Sequence, residues 1–259
     1  MGTVKTILLI LCILIILNQS ENIAGENKTQ GKKLVVVITP HPDDAESSCG
    51  GLILNYISAG DDVVILTMTG GEYGIWNKNP EEARNIRTLE ATNAGNILGA
   101  RVIFFDGIDA HLNVDSETTA RLTDMLLQIN PDFVLSSWPM DVHNDHQAAG
   151  ILAWRVFQDK RFNFDLYFYE TTNTPHTKSF QFVPTDYIDI SDVMQKKKNA
   201  VMVHVSQNPA EWYYMYETLA AFRGYESDVK FAEAYIKAEN SSGLWGRSGN
   251  TGKTLVRLK

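Results

Sequence analysis

Residues 34–46 read LVVVITPHPDDAE, an apolar run followed by a turn that carries two prolines, one histidine and two adjacent aspartates. The nearly continuous apolar run Leu34–Thr39 predicts a strand buried on both faces, which is typical of a parallel sheet. Beyond the turn, apolar residues recur at three- and four-residue spacing up to Gly60, which predicts a helix packed on that sheet. In an open α/β sheet, ligands bind outside the carboxyl ends of the strands. The turn therefore lies where a functional site is expected.

The same alternation of strand and helix patterns continues along the chain. Further strands are predicted at Asp62–Thr69, Arg101–Phe105, Asp132–Ser136 and Asp165–Tyr169. Further helices are predicted at Pro80–Leu98, Ser116–Ile129, His146–Phe157, Ser191–Val205, Pro209–Phe222 and Asp228–Ala238. Buried strands that alternate with helices are typical of βαβ units. We therefore predict an α/β fold, namely a Rossmann-like three-layer αβα sandwich with a mostly parallel sheet.

The two ends of the chain differ from its middle. Lys5 precedes the apolar run Ile7–Leu17, which is shorter than the roughly 20 residues that a membrane-spanning helix needs. Residues 1–30 are therefore predicted to be a signal peptide and a short spacer, so that the protein is secreted or exported to the periplasm or cell envelope. An uncleaved membrane anchor is the alternative. Residues 31–240 are predicted to form one domain, and residues 241–259 a tail that frays or adds an edge strand.

Composition excludes several classes of protein. The formal net charge is -8, and there is no long basic run beyond Lys196-Lys197-Lys198, which argues against nucleic acid as a partner. No stable membrane span is expected. Cys49 is the only cysteine outside the predicted signal peptide, so the core must supply the stability without an intramolecular disulfide. A small molecule or a glycan is the expected partner, and assembly into a homo-oligomer stays open.

A second polar cluster, Asp141–His146, follows the fourth predicted strand. Because the carboxyl ends of parallel strands meet at one edge of a sheet, this cluster should converge with the turn around His41. Two imidazoles and one carboxylate leave a fourth position for water, which is the pattern of catalytic zinc. Adjacent turn residues point in different directions, so Asp43 and Asp44 are interpreted as one base and one ligand. Spacing alone does not divide the roles within the second cluster.

Short motifs extend these clusters over residues 33–238. They are His41-Pro42-Asp43-Asp44-Ala45-Glu46 before Cys49-Gly50-Gly51, Thr69-Gly70-Gly71-Glu72, Arg87-x-x-Glu90-x-x-x-Ala94 before Leu98-Gly99, Asp106-Gly107, His143-x-x-His146-x-x-Ala149, His204-x-Ser206-Gln207 and Phe231-Ala232-Glu233-Ala234-Tyr235. In these residues and in this order, the chain resembles the PIG-L/LmbE-like family of zinc-dependent N-acetylglucosaminyl deacetylases.

The resemblance implies a metal centre and a base. His41, Asp44 and His146 match the family's zinc ligands. Fe²⁺ or Co²⁺ could occupy the same ligands. Asp43 matches the general base that acts on water at the metal.

The resemblance also implies roles for residues around the metal. His143 would stabilise the oxyanion or protonate the leaving amine. Arg87 and Asp106 match positions that line the substrate site, where Arg87 would steady the site and Asp106 would contact sugar hydroxyls. The family commonly has proline where this chain has Asn144, so the loop that carries His143 should differ in stiffness more than in its ligands.

These features predict a metal-dependent hydrolase that removes the N-acetyl group from an N-acetylglucosamine-containing glycoside or a related small amide. One alternative is a metal-dependent carbohydrate-binding protein without turnover, and another is an esterase or amidase that acts on a different substrate. A nucleotide-binding Rossmann protein is a further alternative, but the chain lacks the matching glycine fingerprint.

Residues outside the two clusters receive simpler interpretations. The loop Gly70–Gly74 is predicted to be a mobile active-site loop, and Tyr73 and Trp76 to line a sugar site. The aromatic run 212–216 is predicted to be core because its spacing is helical. Histidines without a partner cluster are predicted to be structural; they are His111, His176 and His204.

Overall fold

The computed structural model describes residues 31–174, 177–178 and 181–239. The strands are β1 Leu34–Thr39, β2 Asp62–Thr69, β3 Arg101–Gly107, β4 Phe133–Ser137, β5 Asp165–Tyr169, β6 Thr172–Thr174, β7 Thr177–Lys178, β8 Asp186–Asp189 and β9 Ala232–Lys237. The helices are α1 Asp44–Ser58, α2 Pro80–Leu98, α3 Ser116–Ile129, α4 Asn144–Phe157, α5 Met194–Met202 and α6 Pro209–Ser227. A short 3-10 helix, Val205–Gln207, joins the last two helices.

Seven strands form one sheet in the order β3-β2-β1-β4-β5-β9-β8. The first five pair in parallel. Strand β9 then pairs antiparallel with β5, and β8 pairs antiparallel with β9. The prediction of an α/β fold with a mostly parallel sheet is confirmed, and β1 with its following turn lies near the middle of the sheet.

The core lies on both faces of this sheet because successive residues of a strand point to opposite sides. Val35 and Val37 pack with buried residues of α1, α2, α5 and α6 on one face. Val36 and Ile38 pack with buried residues of α3 and α4 on the other. All four valine and isoleucine side chains are fully buried. The strand is therefore apolar throughout, as its sequence predicted, and the three layers follow from it.

The prediction of a helix at Asp228–Ala238 is wrong. Helix α6 continues beyond the predicted end at Phe222 to Ser227, and Asp228 ends it in a left-handed conformation with φ 60°. The next residues form β9, which lies between β5 and β8. The two alanines and the glutamate at the start of β9 favour a helix locally, but burial between two strands overrides this weak preference. Strand β8 was not predicted because it is short and only partly buried.

Some predictions fall outside the described residues, namely the signal peptide at 1–30, the tail at 241–259 and the structural role of His176. Of the helices in the described ranges, none combines the length and the apolar character that crossing a bilayer requires.

Candidate metal centre

The turn after β1 holds Asp43 in an unusual backbone conformation. Its φ is 109° and its ψ is -26°, a left-handed region that residues other than glycine seldom adopt. The side chain makes no capping hydrogen bond to α1. Instead, Nη2 of Arg87 donates to the Asp43 carboxylate (3.1 Å) and to the carbonyl oxygen of Pro42 (2.7 Å). The turn therefore directs Asp43 toward a buried guanidinium and leaves Asp44, the first residue of α1, to face elsewhere.

The structure brings His41, Asp44 and His146 together. Oδ2 of Asp44 lies 3.3 Å from Nδ1 of His41 and 3.3 Å from Nε2 of His146. The two imidazole ring centroids are 5.2 Å apart. All three side chains are buried. One carboxylate oxygen of Asp44 thus lies close to a ring nitrogen of each histidine, and the three residues come from the segments that follow β1 and β4.

Each of the two imidazoles presents its other nitrogen to a carboxylate. Nε2 of His41 lies 3.1 Å from Oδ2 of Asp145 and 3.2 Å from Oδ1 of Asp109. Nδ1 of His146 lies 3.3 Å from Oδ1 of Asp141. Histidines that ligate metals are usually oriented by such partners. The sequence interpretation gave no role to these three aspartates, although two of them lie within the second cluster and Asp109 follows the Asp106-Gly107 motif by two residues.

Backbone amides of neighbouring loops hold these outer carboxylates in place. The Asp145 carboxylate accepts hydrogen bonds from the amides of Ala110 (2.7 Å) and Leu112 (3.1 Å). The Asp109 carboxylate accepts one from the amide of Tyr73 (2.9 Å). The loops that follow β2, β3 and β4 therefore meet around the ring of His41.

The electrostatics of the cluster favour a cation. Burial alone would lower the pKa of His41, but hydrogen bonds to Asp109, Asp145 and Asp44 raise it well above the ordinary value. In the same way, burial is outweighed at His146 by Asp44 and Asp141, which raise the pKa to about 9. The pKa of Asp44 is held well below its usual range because both imidazoles oppose its desolvation. Four carboxylates around two imidazoles thus hold positive charge, and a donor set of nitrogen and oxygen atoms suits zinc.

His143 lies beside this cluster and is partly exposed. Its ring centroid is 4.7 Å from that of His41 and 5.0 Å from that of His146. Nδ1 accepts a hydrogen bond from the Asp145 amide (3.2 Å), which caps α4. The three imidazoles are close enough to share an ion. Asp44 is also close to both His41 and His146, and it is buried.

Arg87 is buried beneath the turn, with 4% of its surface exposed. Besides Asp43 and Pro42, it donates from Nη1 to the carbonyl oxygen of Gly71 (3.2 Å). Gly71 has φ +64°, and a Cβ atom there would stand 2.4 Å from Nη1, so glycine is required. Arg87 thus joins the turn after β1 to the loop after β2.

Asp106 lies away from the clustered carboxylates, at an exposed position near the end of β3. It forms an ion pair with Arg84, and 63% of its side chain is exposed. Arg84 also lies 3.7 Å from Oε2 of Glu72. The structure thus places Asp106 at the exposed edge of the candidate site.

The remaining aromatic predictions have mixed outcomes. In the run 212–216, Tyr213 and Tyr216 are buried, as predicted for core residues, and Tyr214 is exposed. His204 is fully buried, with Nε2 3.5 Å from Oε2 of Glu46, which agrees with a structural role. His111 is exposed next to Tyr73, so the prediction of a structural histidine does not describe it.

Residues 36–157 match the family model described as PIG-L, GlcNAc-PI de-N-acetylase. The diacetylchitobiose deacetylase of Thermococcus kodakarensis is 30% identical over 217 residues, which cover 78% of this chain and 81% of that protein. The 4-oxalmesaconate hydratase of Pseudomonas putida is 28% identical over 221 residues, covering 78% and 83%. Among solved structures, the N,N'-diacetylchitobiose deacetylase from Pyrococcus horikoshii has a TM-score of 0.71 at 25% identity, covering 84% of this chain and 89% of that chain. The chain therefore belongs to the PIG-L family.

Proposed function

We propose that this protein is a metal-dependent hydrolase that removes the N-acetyl group from an N-acetylglucosamine-containing glycoside. The observation that carries the proposal is the position of Asp44 between His41 and His146, with Asp43 turned to one side of it. This arrangement pairs a cation site with a separate carboxylate base. Deacetylases of N-acetylglucosamine compounds among the relatives support the choice of reaction.

His41, Asp44 and His146 would hold the metal, for which Zn²⁺ is the first choice and Fe²⁺ or Co²⁺ are alternatives. A cation bound there would polarise the amide carbonyl and lower the pKa of water. The outer aspartates keep both ring orientations, so the ligands need little rearrangement when the ion arrives.

Asp43 is the general base of the proposed reaction. Burial, followed by the neighbouring charge of Asp44, raises its pKa to about 6, while Arg87 opposes the rise. A carboxylate with this pKa is largely ionised at neutral pH, yet it is a stronger base than an exposed aspartate. It would take the proton of the water that attacks the acetamide carbonyl.

His143 is the hydrogen-bond donor for the developing oxyanion. Burial, and then the positive charges of His41 and His146, lower its pKa, so the neutral imidazole is favoured. Since Nδ1 accepts from the Asp145 amide, the single proton of the neutral ring lies on Nε2. That N–H would stabilise the oxyanion by a hydrogen bond. The proton that Asp43 takes from the attacking water would then go to the leaving amine.

The charges around the candidate site favour a neutral substrate over a polycarboxylate such as the 4-oxalmesaconate in the name of the hydratase relative. Arg84 is paired with Asp106 and lies near Glu72, and Arg87 is paired with Asp43. These two guanidinium groups are thus already neutralised by carboxylates. A polycarboxylate would be repelled by the other carboxylates of the site, which are those of Asp109, Asp141 and Asp145. An acetamido sugar carries no charge and avoids this cost.

Acetate release from a panel of N-acetylated sugars, with protein of measured metal content, tests the proposal. We expect release that a chelator abolishes and that added Zn²⁺ restores. The panel should include an O-acetyl ester and 4-oxalmesaconate, because turnover of these alone would replace the proposal with an esterase or a hydratase. Binding of sugars without any product would instead indicate a carbohydrate-binding protein.

We also propose that residues 1–30 direct export and that residues 31–240 form the deacetylase domain. Fractionation of cells that produce the full chain tests the first proposal. Mature protein outside the cytoplasm, shortened at its amino terminus, is the expected result. Full-length protein in the membrane fraction would indicate an uncleaved anchor.

A further inference from the structure

The loop between β2 and α2, residues 70–79, exposes two aromatic side chains beside the candidate metal centre. Tyr73 is 54% exposed and Trp76 is 93% exposed. The ring of Tyr73 stands edge-on to His111, with centroids 6.3 Å apart, and its amide is bonded to Asp109, which contacts the ring of His41. The loop thus reaches from the buried cluster to the solvent.

More apolar side chains are exposed in the next two loops at the same edge of the sheet. Ile108, after β3, is 57% exposed. Met140 and Val142, after β4, are 51% and 46% exposed. A single exposed apolar residue is normal, but several on loops that meet at one site indicate a binding surface. We call Tyr73, Trp76 and Ile108 the apolar rim.

Hydrogen bonds brace the loop that carries the two aromatic rings. The amide of Gly74 donates to the carbonyl of Gly71 (3.0 Å), and the amide of Lys78 donates to that of Ile75 (3.1 Å). Nε2 of Gln207, from the 3-10 helix, donates to the carbonyl of Gly74 (3.3 Å). A braced loop presents its rings without a large ordering cost when a ligand binds.

The neighbours of the apolar rim are polar. Arg84 and Asp106 form an exposed ion pair at the end of β3, and the Gln207 amide lies at the far side of the loop. An alkyl chain needs a continuous apolar surface. A pyranose ring offers apolar C–H faces to aromatic rings and hydroxyl groups to polar side chains, so it fits a surface of mixed character.

We propose that the apolar rim is a subsite for a second sugar ring, adjacent to the N-acetylated sugar that reacts. The preferred substrate is then at least a disaccharide, and Tyr73 and Trp76 determine this preference. The inference rests on the proposed function, and it goes further by assigning the chemical class of the group attached to the reacting sugar.

The test compares N,N'-diacetylchitobiose with methyl N-acetylglucosaminide as substrates of the metal-loaded wild type, Trp76→Ala and Tyr73→Ala. A matched control is Tyr225→Ala, because Tyr225 is 86% exposed and lies on α6, next to a residue bonded to β8 at the other end of the sheet. We expect the ratio of kcat/KM for disaccharide over monosaccharide to fall about threefold to tenfold in both rim variants. Tyr225→Ala should leave the ratio unchanged.

Calorimetric binding of N,N'-diacetylchitobiose to Asp43→Asn protein, with and without Trp76→Ala, separates the inference from the proposed function. Weaker binding in the double variant supports the subsite even if the wild type releases no acetate, an outcome that would refute only the deacetylase. The subsite would be overturned if acetate is released, the kcat/KM ratio is unchanged in both rim variants, and Trp76→Ala does not weaken the binding of N,N'-diacetylchitobiose. Absence of binding to either protein would overturn it as well.

Discussion

At the scale of single residues, the turn after β1 separates two adjacent carboxylates into two environments. Asp44 faces two imidazoles, which hold its pKa well below the usual range. Asp43 faces Arg87 from a left-handed backbone conformation, and its pKa is raised to about 6. Carboxylates whose environments move their pKa values apart can take different roles in one reaction. The division of roles that we propose, with Asp44 as ligand and Asp43 as base, therefore has a physical origin in this turn.

Asp43→Asn should reduce kcat about a hundredfold to ten-thousandfold, the usual contribution of a general base. The amide oxygen can still accept from Arg87, so the fold and the metal content should persist. Steady-state acetate release and metal analysis of the same sample measure both. Asp186→Asn, on the edge strand β8, is the matched control with no expected effect. Retention of more than about a tenth of the activity would remove Asp43 from its proposed role.

Arg87→Met should shift the acidic limb of the pH profile of kcat/KM to higher pH. The guanidinium opposes the rise in the pKa of Asp43, so its loss should raise that pKa above about 6. The base works when deprotonated, and activity should therefore require a higher pH. Arg87→Lys retains a positive charge and should shift the limb less. If the acidic limb of both variants matches that of the wild type, the charge of Arg87 does not act on the base.

At the scale of elements, α1 packs closely against β9 and α5 at the two glycines of its Cys49-Gly50-Gly51 motif. The Glu233 carboxylate of β9 accepts from the amides of Gly51 and Leu52 (2.8 Å each) and from Nζ of Lys197 in α5 (2.7 Å). A Cβ atom on Gly51 would stand 2.2 Å from Cγ2 of Ile190, so only glycine allows this approach. The Cys49-Gly50-Gly51 and Phe231–Tyr235 motifs are therefore explained by packing against each other.

Glu233→Ala should lower the free energy of unfolding by about 3–5 kcal/mol, because it leaves the buried ammonium of Lys197 without its partner. The two residues are 5% and 2% exposed, so water cannot compensate. The double variant Glu233→Leu/Lys197→Met removes both charges and should be less destabilised than Glu233→Ala. Urea unfolding followed by circular dichroism measures both. A single variant within about 1 kcal/mol of wild type would contradict the assigned role.

At the scale of the whole molecule, the metal-free protein should lose stability on the alkaline side of neutrality. The pKa of His146 is raised from the ordinary 6.5 to about 9 in the folded state, since Asp44 and Asp141 outweigh its burial. Its contribution to stability is fully present below pH 6.5 and is lost as the pH rises through about 9. The pKa of His41 is also raised, so it contributes in the same direction.

Bound Zn²⁺ should replace this dependence on protons. A metal that binds only the folded state adds about 2.7 kcal/mol when free metal is a hundredfold above Kd. Thermal unfolding between pH 6 and 9, with and without chelator, tests this prediction. We expect the two melting curves to diverge as the pH rises. If the difference in melting temperature with and without chelator is constant across that range, the metal does not compete with protons for the two histidines.

The sequence by itself determined the parallel part of the sheet and the two polar clusters. The continuous apolar run of β1 can be satisfied only by burial on both faces, and parallel strands bring their carboxyl ends together. Both features follow from short stretches of sequence and do not depend on contacts between distant residues. The proximity of His41, Asp44 and His146 could therefore be predicted from the sequence.

Only the tertiary structure decided what surrounds those residues. Asp109 contacts the ring of His41 although the two residues are far apart in sequence, and Asp106 lies at the exposed edge of the candidate site. The segment after Asp228 became a strand because the place between β5 and β8 buries it, against its own helical preference. Contacts between residues distant in sequence depend on how the layers pack, and that information exists only once the chain is folded.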